Sequence, residues 1–424
     1  MGNELQPKTY ADVLFEAKRG FVIIGLTGYT GSGCTTTARI LSKADRFSLP
    51  DNFGDELKKC GDTYAVRQFK KLKDAWDGMN WIPYTEIEVG AVILGIVLKN
   101  ILADRALTGV PDEIIGVANQ RESDLNGLDV LSMSSPISVE DCRRLVCSYQ
   151  VCVEIQKDIK KGEVLPIAKY IEFMQKSGDN IRLFGGIAGG VPDPKNMLII
   201  PEAIRKVISA YKKAERRSRF VIDAFRNPFE VEYFKRRYAE FYLLCVMRDQ
   251  EERAASLRRR MAEPDIERIW EKEKGVMPTG GMTKENCLKT RENIGWWVTW
   301  QNIPECAQKA DVYIKLRKKS HAHLHYHLAR LLSLIHKPGL LTPTQDEYHM
   351  QIAATSRHMS GCLSRQVGAT AVGKDGYMLG AGWNDPPEGQ VPCSLRSCEE
   401  LLIQSRRMSV PIVYLSRARN LRTT

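Results

Sequence analysis

Residues 20–42, GFVIIGLTGYTGSGCTTTARILS, constrain this chain more than any other stretch. The β-branched apolar run from Phe21 to Leu26 reads as a buried strand; a glycine-rich turn follows, then a helix-like segment. Strand, tight turn and helix in that order open a parallel α/β sheet. The turn, Gly28-Tyr29-Thr30-Gly31-Ser32-Gly33-Cys34-Thr35, fits the phosphate-loop pattern G-x-x-x-x-G-K-[ST] except that Cys34 stands where the lysine belongs. Gly28, Gly31 and Gly33 let backbone N–H groups turn inward around a phosphate at the helix N-terminus, where the dipole favours anions. The expected phosphate-binding set is Gly28, Gly31, Ser32, Gly33, Thr35 and Thr36, with ATP, GTP or a deoxynucleoside triphosphate and Mg²⁺ as ligand. The absent lysine removes a cation that stabilises charge in phosphoryl transfer, so binding is expected and transfer is not. A ligand-free glycine turn is the plainer alternative.

Residues 217–260 supply two more buried-strand patterns, Phe220–Ile222 and Phe241–Met247. Asp223 ends the first of them, where a carboxylate associates with Mg²⁺; capping a helix is its other reading. The segment IDAFRNPFE resembles one found in nucleotide-kinase-like proteins, and Arg253 with Arg258, Arg259 and Arg260 resembles the arginine-bearing lid of small nucleotide kinases, unless these arginines only form a solvated face. Residues 51–215 read as mostly helical. Cys142, Cys147 and Cys152 recur every five residues, which does not hold three thiols on one helix face, so core thiols are expected rather than a metal site. His321, His323, His325 and His327 alternate, but the pattern continues into Leu328, Leu331, Leu332 and Ile335, a linker helix stopped at Lys337-Pro338-Gly339.

The 424 residues, 43% hydrophobic and 27% charged, suffice for two or three domains with buried cores. No basic-then-apolar leader opens the sequence, and the longest apolar run, Ala91 to Leu98, is closed by Lys99, so a cytoplasmic protein with no membrane partner is expected. Eleven cysteines without a C-x-x-C argue against a disulfide framework. The net charge of +11 favours anionic partners such as nucleotides, RNA or DNA, or serves solubility alone.

From Thr344 the pattern changes to a helix, DEYHMQIAATSRHMS, then a strand VGATAV, a Lys374-Asp375-Gly376 turn and a strand YMLGAGW. Ser360 to Cys362, Gln366 to Ala369 and Gly382 to Asn384, followed by PPEGQVPC, resemble in order the Ser-x-Cys, Gln-Val-Gly-Ala and Gly-Trp/Tyr-Asn motifs of the deoxycytidylate deaminase family. With the N-terminal loop, the arrangement resembles the bacterial phage-defence branch of that family. The resemblance implies a P-loop NTPase or nucleotide-kinase-like parallel-sheet domain over 1–318 with a helical insert at 51–215. A helical linker at 319–342 and a partial cytidine-deaminase-like α/β/α domain at 343–424 follow.

What the family does is an expectation here: dCTP or dCMP is deaminated by zinc-activated water, which depletes the pool a phage needs. A regulatory nucleotide-binding domain, homo-oligomers and a small regulatory RNA accompany it. By resemblance Asn384 bonds the deoxyribose or base, Val367, Gly368 and Ala369 pack on the pyrimidine, Arg365 contacts phosphate, and Cys362 with Cys393 are half of a structural Zn²⁺ site. A turn role for Asn384 and a core-strand role for Val367 are the alternatives. The catalytic signature H-x-E followed by P-C-x-x-C is absent, for none of the seven histidines has glutamate two residues on. The sequence therefore reads as the front half of a cytosine pocket, a truncated or frame-shifted member that deaminates poorly alone. The other reading is an inactive nucleotide- or RNA-binding regulatory fragment.

Overall fold

Val22, Ile23, Ile24 and Leu26 are almost completely buried because β1 (Val22–Thr27) is the middle strand of a five-stranded sheet. The computed structural model describes residues 21–50, 63–134, 137–162, 164–275, 299–316, 321–363, 365–387 and 389–397. With β2 (Thr85–Glu88), β3 (Arg219–Phe225), β4 (Phe241–Arg248) and β5 (Val312–Leu316), the strand order is β2-β3-β1-β4-β5, parallel throughout. A parallel sheet needs cover on both faces, which is why its central strands are continuous apolar runs. Each Ile, Leu or Phe buried there contributes about 1.5–3 kcal/mol.

The first unit, Met1–Leu340, carries twelve α-helices among its described residues. They are α1 (Cys34–Ser42), α2 (Thr63–Asp77), α3 (Val89–Ala103), α4 (Asp112–Gln120), α5 (Val139–Lys161), α6 (Ile167–Phe184), α7 (Ile199–Glu215), α8 (Pro228–Arg237), α9 (Gln250–Leu257), α10 (Glu263–Glu273), α11 (Ile303–Gln308) and α12 (His321–His336). α3 is apolar nearly all round because β3 and the helices α4 to α7 enclose it. No helix among the described residues is long and apolar enough to cross a membrane.

The stretch 51–215 is mostly helical among its described residues and includes one strand, β2, which is four residues long and carries Glu86 and Glu88, so no apolar alternation marked it. Two expectations need correction. Of the three cysteines on α5, Cys142 and Cys152 are buried but Cys147 is exposed, since a five-residue step turns it about 140° away. The helix taken as a linker packs on α2 and β5 within the first unit, with Leu324, Leu328, Ala329 and Leu332 buried, and its His325 ring lies 4.8 Å from Phe47. The arginine-bearing tail after Leu402 and Cys398 lie outside the described residues, as do the linker positions 319–320.

The second unit, Leu341–Thr424, is described by α13 (Gln345–Ser356) and an antiparallel hairpin of β6 (Gly368–Val372) and β7 (Met378–Trp383). A capping box starts α13: the Thr344 hydroxyl accepts from the Glu347 N–H, and the Glu347 carboxylate accepts from the Thr344 N–H. The helix lies so close on β6 that a Cβ at Gly368 would collide with the Ala353 carbonyl.

Candidate functional site

The glycine loop leaves the carboxyl edge of β1 and returns as α1. A Cβ at Gly28 would strike the Val246 carbonyl and lie 2.5 Å from Ser32 Oγ, so only glycine lets the loop fold back on β4. Gly31 (φ +86°) and Gly33 (φ +111°) adopt the left-handed region that favours glycine. Gly33 starts α1 with no side-chain cap, leaving the first-turn N–H groups of Cys34, Thr35 and Thr36 turned toward the loop mouth. Inside the loop Ser32 N–H donates to Tyr29 O at 2.9 Å, and the buried Ser32 hydroxyl lies 3.5 Å from Cys34 Sγ. Thr36 is exposed.

Cys34 is buried, and burial pushes its thiol up to about 12, with the Asp223 carboxylate adding to the rise. The residue in the lysine position is thus a neutral thiol. Thr35 Oγ1 donates to Asp223 Oδ2 at 2.8 Å, so two residues expected at one site do meet. Burial raises the Asp223 carboxyl above its ordinary range, partly offset by that hydrogen bond and by Lys160. A hydroxyl beside a carboxylate at the glycine loop is a donor set that suits Mg²⁺, which keeps several waters and takes one or two protein oxygens.

Beyond Asp223 the acidic edge continues along β2. Glu88 pairs with Asp223 in the strand register, and its Oε2 lies 3.0 Å from Lys160 Nζ. Its N–H donates to the buried Tyr149 hydroxyl at 2.8 Å. Burial, with the charges of Asp223 and Glu88, raises Glu86 to about 7. Glu86, Glu88, Tyr149, Lys157 and Tyr211 help line a cavity of ≈ 300 Å³. Sequence reasoning missed both glutamates because nothing in the local pattern placed them beside a loop some sixty residues earlier.

On the other side of the loop stands a third missed residue. Glu273, at the end of α10 and fully buried, accepts hydrogen bonds from Thr30 N–H (3.0 and 3.1 Å), from the Thr30 hydroxyl and from Arg226 Nη1. Arg226 Nη1 also donates to Thr30 Oγ1 at 3.0 Å. Arg253 Cζ lies 4.6 Å from the Tyr29 ring centroid and 4.5 Å from that of Trp270. Of the four arginines read as a lid, only Arg253 meets the loop. α9 ends at Leu257, so the next three residues wind outward: Arg258 pairs with Glu263 at the surface and Arg260 donates to Lys160 O.

In the second unit the Asn384 amide bridges two backbone groups: its Oδ1 accepts from Val367 N–H at 2.7 Å and its Nδ2 donates to Arg365 O at 2.8 Å, the turn role that stands as the alternative to a contact with deoxyribose or base. A short polar side chain next to a turn satisfies the backbone across from it first. Val367, Ala369 and Arg365 are exposed, and Gly368 presses on α13. Ser394 N–H donates to Gly361 O at 2.9 Å, bringing the Cys362 and Cys393 segments side by side. Among the described residues no group of three or more His, Cys, Asp or Glu is placed to hold a metal ion, and two thiols are half of the four ligands a structural zinc takes. No protein-family model matches the chain, and no curated protein matches it.

Proposed function

We propose that this chain is a nucleotide-binding regulatory protein of the deoxycytidine nucleotide deaminase type, whose first unit binds a nucleoside triphosphate with Mg²⁺ at the glycine loop. The observation that carries the reading is the Thr35–Asp223 hydrogen bond at the mouth of a loop with two left-handed glycines and an uncapped helix start. Phosphate oxygens would take the N–H groups of Gly31 and of Gly33 through Thr36, and Mg²⁺ would be held by Thr35 and Asp223 and supply charge neutralisation there. The neutral Cys34 thiol leaves transfer of the terminal phosphate without the usual lysine, which favours sensing over phosphorylation.

The test is equilibrium titration of the full chain with ATP, GTP and dCTP. Binding that weakens about tenfold or more on chelation of Mg²⁺ and in Thr35→Val supports the reading. No binding of any triphosphate, or binding indifferent to both changes, overturns it.

Deamination of dCTP or dCMP is the second reading, favoured by the helix and hairpin of the second unit and by the adjoining Cys362 and Cys393 segments. The residues present do not make up the histidine, glutamate and paired cysteines that such chemistry needs, so no catalytic step is assigned to them. Release of ammonia from dCTP by the zinc-loaded chain would establish this second reading over the first.

A further inference from the structure

Thr30, Arg226 and Arg253 surround Glu273 with more donors than one carboxylate uses. Arg226 pairs directly with Glu273, whereas Arg253 feels its charge without a hydrogen bond to it and lies between the Tyr29 and Trp270 rings. Arg253 is 8% exposed, yet its Nη1 has no hydrogen-bond partner, and neither does Nε1 of the adjoining Trp270. Buried donors without acceptors are costly to keep, so their persistence beside a phosphate-shaped loop points to a ligand. Arg253 also packs directly on the loop, since a Cβ at Gly31 would lie 3.4 Å from Arg253 Cβ.

We propose that Thr30, Arg226 and Arg253 form an oxyanion subsite of the glycine loop, which Glu273 fills from within and which a polyphosphate takes over on binding. A phosphate group offers oxygens in the same bidentate spacing as a carboxylate but carries more charge, which suits two arginines better than one acid does. Glu273 is tethered in place, so it competes at high effective concentration and sets the level of polyphosphate at which the loop responds. This inference rests on the reading that the loop binds nucleotide phosphate.

The experiment titrates MgATP and inorganic tripolyphosphate into the full-length wild type, Glu273→Gln and Arg253→Met, with circular dichroism to establish folding. The expected result is binding about tenfold or more tighter in Glu273→Gln and weaker by a similar factor in Arg253→Met. Wild-type binding with unchanged or weaker binding in a folded Glu273→Gln overturns the inference and leaves the loop reading standing. If Glu273→Gln does not fold, Arg253→Met decides: unchanged affinity overturns the inference, and a loss supports it. Binding in Glu273→Gln where the wild type shows none supports it strongly. Absence of binding in every folded protein overturns both.

Discussion

Thr35 Oγ1 and Asp223 Oδ2, 2.8 Å apart and 188 residues apart in sequence, fasten the first turn of α1 to the end of β3. The contact couples the glycine loop to the neighbouring strand and places a carboxylate beside the first turn of α1.

Asp223→Asn separates stability from binding. Burial raises the Asp223 carboxyl in the folded protein, so its contribution to stability is full at low pH and is lost as pH rises through the folded value. At neutral pH the charged form is therefore a burden on the fold. The substitution is expected to raise the melting temperature at pH 7–8 and to weaken Mg²⁺-dependent nucleotide binding about tenfold or more. A lower melting temperature would show that the Thr35 bond outweighs the burial penalty.

Glu86 gives a second pH signature. Burial first, then Asp223 and Glu88, lift it from the ordinary 4.5 to about 7. Its contribution is full below about pH 4.5 and disappears as pH rises through about 7, a difference of about 3 kcal/mol. Urea unfolding at pH 5 and pH 8 should show the gap between wild type and Glu86→Gln moving in favour of the variant at the higher pH. Parallel stability curves would remove Glu86 from the acidic edge.

The glycine loop was legible because steric necessity is local: Gly28, Gly31 and Gly33 are required by the path of a few residues, and the strand and helix flanking them have clear periodicity. Asp223 was legible as the residue closing an apolar run. Glu86, Glu88 and Glu273 were not, because their place beside the loop is made by sheet order and helix packing far along the chain. Asn384 shows the converse limit. Its motif is visible in the sequence, but which partner its amide chooses depends on how the hairpin brings Val367 and Arg365 to it.

The first unit also depends on the buried pair of Arg182 and Glu230. Arg182 Nη2 lies 2.7 Å from Glu230 Oε1 with side chains 4% and 1% exposed, Arg182 Nη1 also donates to Thr299 O at 3.3 Å, and Asp179 Oδ1 lies 3.6 Å from Nη1. Removing Glu230 leaves the buried guanidinium with only the more distant Asp179 as counter-charge, so Glu230→Ala is expected to cost about 3 kcal/mol in chemical unfolding. Replacing both by Met and Leu should recover much of that loss. A single-variant cost under about 1 kcal/mol would mean that water reaches the pair.

Asn384→Ala tests whether that residue holds the hairpin together. Both ends of its amide bond to backbone, to Val367 N–H and Arg365 O, where the strand entering β6 runs beside the residue leaving β7. Losing two such bonds should destabilise this corner by about 1–3 kcal/mol. Hydrogen exchange on the full chain should then accelerate at the Val367 amide while the first unit's amides keep their protection. Thr370, whose hydroxyl donates to His349 O on α13, provides an internal reference, because that contact anchors β6 from the helix side and does not depend on Asn384. If exchange at Val367 is unchanged while affinity for dCTP or dCMP falls, the amide serves a ligand instead of the turn.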